Sequence, residues 1–208
     1  MSYRMPMQAA RELSAEVEIT SGCLLGYHLR YPFFPEYPAI SGWYARQVEL
    51  YVQYIHSSYL PALRQMPLDA LGSDLTIEGS YEVQYARGDL LSVTMDTYED
   101  LGMYSCALGR TSAVWGLHSG RRLEFGDLFR DPVKVRKIIE TYLLREIGAA
   151  SAGSYYAGAW QREPRWFYFS EGGLCIYYQP GTITSRNGGI PTFYIPWTEL
   201  QGCTNFPL

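Results

Sequence analysis

Three histidines, four cysteines and a scatter of acids are the residues with which this 208-residue chain could do chemistry. His28, His56 and His118 lie too far apart for any two to ligate one metal from a single helix or strand. Cys23, Cys106, Cys175 and Cys203 include no CxxC pair, which argues against a zinc site or a dithiol redox centre. An exported chain could join them as two disulfides in any of three connectivities. The first residues, Met1-Ser2-Tyr3-Arg4-Met5, carry no export signal, so reduced, half-buried strand thiols are expected instead. A nucleophile needs a base beside it, and no Gly-x-Ser-x-Gly or recognisable catalytic Cys supplies one. Gly172-Gly173 and Gly188-Gly189 lack the Lys-Ser/Thr of a phosphate loop and read as strand turns. Among the acids, Asp96, Glu99 and Asp100 cluster, but the odd offset of Asp96 and Glu99 sends them to opposite faces of a strand. A solvated turn is the expectation there. Arg87-Gly88-Asp89 spells the tripeptide that integrins recognise, at a place where a hairpin needs a Gly and a polar residue; it reads as a turn. No catalytic residue, metal ligand or cofactor is therefore assigned, and the chain is expected not to be an enzyme.

Aromatic residues offer the alternative of binding without bond making. They make up 15% of the chain, with 19 tyrosines, a bias that suits strands or a recognition face. Tyr155, Tyr156, Trp160, Trp166 and Tyr168 gather around an aperiodic stretch, 149–165, together with Arg162, Glu163 and Arg165. Exposed Trp and Tyr beside Arg make interface anchors. The candidate ligand contacts are Tyr155, Tyr156, Trp160 and Arg162, with Arg186 from the turn before the last strand. The plainer reading has these rings covering the second helix and the terminal sheet.

Composition bounds the partners. A net charge of −4 argues against nucleic acid or an anionic membrane surface. No apolar run approaches the roughly 20 residues that span a bilayer. With 47% hydrophobic and 18% charged residues, the chain can bury a core and is neither disordered nor fibrous. Localisation stays open on these grounds.

The elements that must position these residues read as α+β: antiparallel sheets with two main helices packed on them. Residues 1–12 form a flexible tail, and 13–208 a single domain with subregions at about 13–110 and 111–202. Alternation from Val17, clearest through Cys23, Leu25, Tyr27, Leu29 and Tyr31, marks a first strand region. Ile40, Tyr44, Val48, Tyr51, Val52, Ile55 and Tyr59 recur at three and four, predicting a helix over about 40–60 with Ser41 as N-cap. Pro61 should clash with the Ser57 carbonyl and kink or end it. Hairpins follow at 75–99 and 112–125. Asp131-Pro132 opens a second helix with the stripe Val135, Ile138, Ile139, Tyr142, Leu143 and Ile147, closed by Gly148. Strands at 166–169, 174–178 and 192–197 end the chain.

Three pieces in this order carry a resemblance: Gly120-Arg121-Arg122-Leu123-Glu124-Phe125-Gly126-Asp127-Leu128-Phe129-Arg130-Asp131-Pro132, then Phe167 to Tyr178 around Glu171-Gly172-Gly173, then Gly188-Gly189-Ile190-Pro191-Thr192-Phe193-Tyr194-Ile195-Pro196-Trp197. Together they resemble the domain of unknown function in RsiV-type anti-sigma factor ectodomains and beside the deacetylase of PdaC-like enzymes. The region from Cys23 to Asp96 is similar to its usual partner region, so the resemblance spans about 15–202. It implies an α+β module, usually extracytoplasmic in bacteria, that binds or senses a ligand. In the RsiV branch that ligand is lysozyme. This sequence has neither the transmembrane segment of such an anti-sigma factor nor the metal-binding histidines of a deacetylase. It also carries Ser185-Arg186-Asn187-Gly188-Gly189 where the family often has a Tyr-Ala-Gly-Gly-like turn, and no contact residues are carried over. The expected function is a non-catalytic binding or sensing module for a lysozyme-like protein or a cell-wall glycan. The alternatives are a hydrolase acting on wall material and a cytoplasmic structural protein.

Overall fold

A computed structural model describes residues 9–20, 22–67, 74–100, 106–150, 155 and 165–207. The architecture is α+β, as the periodicities require. Hydrogen bonding orders the first six strands β1 (Ala9–Thr20), β2 (Cys23–Phe33), β3 (Asp74–Arg87), β4 (Leu90–Asp100), β5 (Cys106–Gly116) and β6 (Arg121–Leu123) in sequence order. A second sheet joins β7 (Phe167–Ser170), β8 (Gly173–Tyr177) and β9 (Thr192–Pro196), all antiparallel. Two long helices, α1 (Pro38–Tyr54) and α4 (Pro132–Ala149), and two single turns, α2 (Leu60–Leu63) and α3 (Phe125–Leu128), complete it. No described helix is long and apolar enough to cross a membrane.

The chain divides into two compact units, with boundaries inside β3, between Tyr81 and Glu82, inside β4, between Thr94 and Met95, and inside β5, between Leu108 and Gly109. The unit holding β1, β2 and α1 buries Leu25, Tyr27, Leu29, Leu75 and Ile77 from the sheet together with Val48, Ile55, Leu60 and Leu63 from the helical segment. The unit holding α4 and the second sheet buries Val135, Ile139 and Leu143 with Phe169, Leu174, Ile176, Phe193 and Ile195. Both helices thus bury the stripe that their spacing marks. Asp131 caps α4 by accepting the Lys134 N–H at 2.9 Å, with Pro132 in the first turn. Gly148 does not close that helix; it lies within the last turn, and the cap falls at Ala150.

Four further expectations need correction. Ala9 to Glu12 are not tail but the start of β1, paired opposite Phe33, Pro32, Tyr31 and Arg30. The sheets are not wholly antiparallel, because β3 runs parallel to β2 from Leu24 opposite Asp74 to Leu29 opposite Gly79. A helix between two strands makes this possible, since a parallel pair needs a long crossover. Ser41 is not an N-cap: α1 starts at Pro38, and the buried Ser41 Oγ instead accepts the Phe34 N–H and donates to the Phe34 carbonyl. Pro61 does not end the helical segment. The chain widens into one π turn, Ile55–Tyr59, in which Leu60 N–H reaches the Ile55 carbonyl five residues back, and then continues through α2. That insertion spares the segment the usual clash behind a proline.

Candidate binding surfaces

Of the five residues singled out as ligand contacts, Tyr156, Trp160 and Arg162 lie outside the described residues. Tyr155 is half-buried, its ring 5.9 Å from that of Phe193 and packed on the core of its unit. Arg186 is exposed in a short 3-10 turn, its side chain lying over Gly181. The structure does not bring these two together with the rings of Trp166 and Tyr168 into one open platform: Tyr168 is buried, and Trp166 packs against Tyr177 and Tyr178.

The acids at the end of β4 behave differently from the solvated turn expected of them. Glu99 is half-buried and accepts the Tyr51 hydroxyl at 2.6 Å on one oxygen and the Tyr59 hydroxyl at 2.9 Å on the other. Burial first, and then the hydrogen bond to the Glu99 carboxylate and its charge, push both phenols well above the ordinary tyrosine value. Tyr54 stacks beside them, 6.3 Å from Tyr51 and 5.9 Å from Tyr59, with 48% of its surface exposed. His56 sits on the same turn against Tyr27, edge to ring at 6.1 Å. This cluster fastens the π turn to β4.

Asp89 of the Arg87-Gly88-Asp89 turn is also held in place. Its Oδ1 accepts the His118 N–H at 2.6 Å, its backbone carbonyl accepts the Leu117 N–H, and Gly88 supplies the positive φ of the turn. The residues from Ala86 to Leu90, with Leu123, Leu128 and Phe206, line an open groove of about 690 Å³. Cys175 is buried against Ser170, and that burial raises its thiol rather than activating it.

Acidic side chains gather on the solvent face of β1, β2 and β3. Alternation turns Leu13, Ala15 and Val17 toward the core and Glu12, Ser14, Glu16 and Glu18 outward. In register, Glu12 lies opposite Arg30, Ser14 opposite His28, and Glu16 opposite Gly26. On the far side, His28 lies opposite Glu78 and Gly26 opposite Thr76. Gly26 has no side chain, so its neighbours Ser14, Glu16, His28, Thr76 and Glu78 rim a shallow hollow of about 370 Å³. His28 stands between two carboxylates, with Nε2 3.5 Å from Glu12 and Nδ1 3.5 Å from Glu78. Those two carboxylates approach opposite ring nitrogens, so they do not converge on one point as metal ligands must. Among the described residues no group of three His, Cys, Asp or Glu is placed to hold a metal. Sequence reasoning missed this surface because it placed the start of β structure at Val17. The alternation Glu12-x-Ser14-x-Glu16-x-Glu18 was the available signal.

Comparison with known proteins agrees with the α+β fold. Residues 126–198, from α3 to the turn after β9, match a family described as "Protein of unknown function (DUF3298)". A crystal structure of a DUF3298 family member from Bacteroides fragilis NCTC 9343 is similar at a TM-score of 0.67 and 16% identity, over 97% of this chain and 94% of that one. A DUF3298 family protein from Pseudomonas aeruginosa PAO1 is similar at a TM-score of 0.67 and 14% identity, over 98% and 95% of the two chains. At such identities the likeness is one of fold. No curated protein matches the chain.

Proposed function

We propose that this chain is a non-catalytic binding module whose ligand is a basic protein, held on the acidic solvent face of β1, β2 and β3. The observation that carries the reading is the charge of that face. Glu12, Glu16, Glu18 and Glu78 project from it, against Arg30 and, when protonated, His28. A rigid sheet face on which acids outnumber cations attracts a basic partner and orients it, without needing a deep pocket. The hollow over Gly26 suits the end of a lysine or arginine side chain, which Glu16 and Glu78 would meet from two sides. The ordered motifs that resemble RsiV-type ectodomains favour the same ligand class, since lysozyme is the ligand there. The two solved relatives are themselves described only by their family, so the likeness in fold adds the scaffold and not the ligand.

Calorimetric titration of the full chain with lysozyme, in parallel with soluble peptidoglycan fragments, tests this. The expected result is saturable lysozyme binding that weakens as salt screens the surface charges. The paired reversal Glu16→Lys with Glu78→Lys should lower the affinity about tenfold or more. Binding to glycan fragments alone, or affinity for lysozyme untouched by the reversal, would overturn the reading.

A further inference from the structure

One backbone edge belongs to that same face. Strand β1 has β2 on one side and, among the described residues, no strand on the other. Its register with β2 is unbroken from Ala9 to Glu18, with the only shift between Glu18 and Thr20, and it contains no proline. Arg64 donates to the carbonyls of Glu18 and Ile19, so the edge left open among the described residues is 9–17. At roughly 3.3 Å per residue that is about 30 Å of sheet edge, about one and a half times the length of an ordinary strand. Edges of this length are usually blunted by prolines, bulges or charge, and here only charge is used.

The pattern of that charge says what the edge repels and what it accepts. A second copy added antiparallel about Ser14 sets Glu12 against Glu16. About Ala15 it sets Glu12 against Glu18, and about Glu16 it sets Glu16 against itself. Like charges directly opposite in a sheet are unfavourable, so self-pairing is disfavoured in each of these registers. A strand with lysine or arginine at every second position faces the opposite situation: its cations fall on the row Glu12, Ser14, Glu16 and its remaining side chains fall beside Leu13, Ala15 and Val17. We infer that β1 accepts an extended segment of the partner as an added strand, and that this segment carries basic residues in alternation. The inference rests on the proposed basic-protein ligand and specifies how it is gripped: main-chain hydrogen bonds supply the affinity and the alternating charges supply the register.

The test uses the full chain with two synthetic octapeptides, one alternating Lys and Val and one of the same composition with its lysines grouped. Binding is read by titration and amide hydrogen exchange, and lysozyme is run beside them. The alternating peptide should bind at least about tenfold more tightly and slow exchange within 9–17, while Glu12→Lys with Glu16→Lys should abolish that protection. Equal affinity for the two peptides, binding that leaves 9–17 unprotected, or no binding of the alternating peptide would overturn the added strand. Lysozyme binding without protection of 9–17 overturns the added strand and leaves the sheet-face reading standing. Protection by the alternating peptide when lysozyme does not bind upholds the added strand and sinks the sheet-face reading.

Discussion

Tyr51 and Tyr59 stand eight positions apart and donate their hydroxyls to the two oxygens of one carboxylate, that of Glu99. In an unbroken α-helix, eight residues at about 100° each would leave these side chains about 80° apart around the axis. The π turn at Ile55–Tyr59 absorbs one extra residue, which brings them to within about 20° of one face. The pair therefore depends on the widened turn that also accommodates Pro61.

Because both phenols titrate above the ordinary tyrosine value of about 10, the folded chain holds their protons more tightly than the unfolded chain does. Their contribution to stability is fully present below about pH 10 and is lost as pH rises beyond it. Urea unfolding at a series of alkaline pH values should show stability falling above about pH 10. The double variant Tyr51→Phe, Tyr59→Phe should show a shallower fall, the remainder coming from other buried tyrosines such as Tyr85 and Tyr178. An identical alkaline limb in the variant would show that Tyr51 and Tyr59 do not hold their protons as tightly as this burial and pairing require.

Ser41 gives a second prediction. Its buried hydroxyl is the acceptor for the Phe34 amide at 2.8 Å, while the Phe34 carbonyl is also reached by the Tyr37 N–H. In Ser41→Ala the carbonyl keeps Tyr37, but the amide loses its acceptor inside the structure. The expected cost is about 1–3 kcal/mol, the desolvation penalty of one buried donor. Ser41→Thr, which keeps the hydroxyl, should lose less, and chemical denaturation of the three proteins checks the order. An N-cap at this position would have shown the same loss for Ser41→Ala but little for Ser41→Gly, so a large loss on Ser41→Gly separates the two roles.

Helix α4 was legible to the residue at its start, because Asp131, Pro132 and the stripe from Val135 to Ile147 are all local signals that agree. The strands of the second sheet were legible for the same reason. The start of β1 was not, since its core-facing residues Leu13 and Ala15 are few and small, and a period of two over so short a run barely registers. Ser41 was misread because a serine at the head of an apolar stripe looks the same whether it caps its own helix or holds a neighbouring strand; only the position of Phe34 distinguishes them. The parallel pairing of β3 with β2 and the π turn depend on contacts between residues some 50 and 40 positions apart, such as Leu25 opposite Leu75 and Tyr59 with Glu99. Local patterning carries no record of such pairs. The alternating acids of β1 stand in the sequence itself, but the residues beside them on that face, Arg30, His28 and Glu78, follow from the same register and need β1, β2 and β3 laid side by side.

Gln179 and Arg110 supply a third prediction. The Gln179 amide accepts the Arg110 backbone N–H at 3.1 Å and donates to the Arg110 carbonyl at 2.5 Å, so one side chain imitates a neighbouring strand. Gln179→Ala removes both bonds and should cost about 1–3 kcal/mol. Gln179→Glu keeps the acceptor but aims a second carboxylate oxygen at the Arg110 carbonyl. That contact raises the carboxyl in the folded state, because only the protonated form can donate. The variant's stability relative to the native chain should therefore rise as pH falls toward about 4.3, where the gain is complete, and be lost as pH climbs from there through the raised value. Parallel denaturation curves at acid and neutral pH decide this, and a constant difference would contradict the pairing.

Gly172 and Gly173 look interchangeable in the sequence, yet they meet different obstacles. A side-chain carbon on Gly172 would approach the hydroxyl of Tyr194, the far end of a ring that is 50% exposed and free to swing outward. On Gly173 the same carbon would fall against the backbone carbonyl of Ile195, which the β8–β9 ladder fixes by pairing Leu174 with Ile195. Backbone within a ladder yields only if the strand itself shifts, and β9 carries the fully buried Ile195, paired with the equally buried Leu174 of β8. Gly172→Ala should thus change stability by less than about 1 kcal/mol, whereas Gly173→Ala should cost about 1–3 kcal/mol as an overpacked site does. Urea midpoints for the two variants test the contrast. Equal losses would mean that strand β9 does not approach β8 as closely as this register requires.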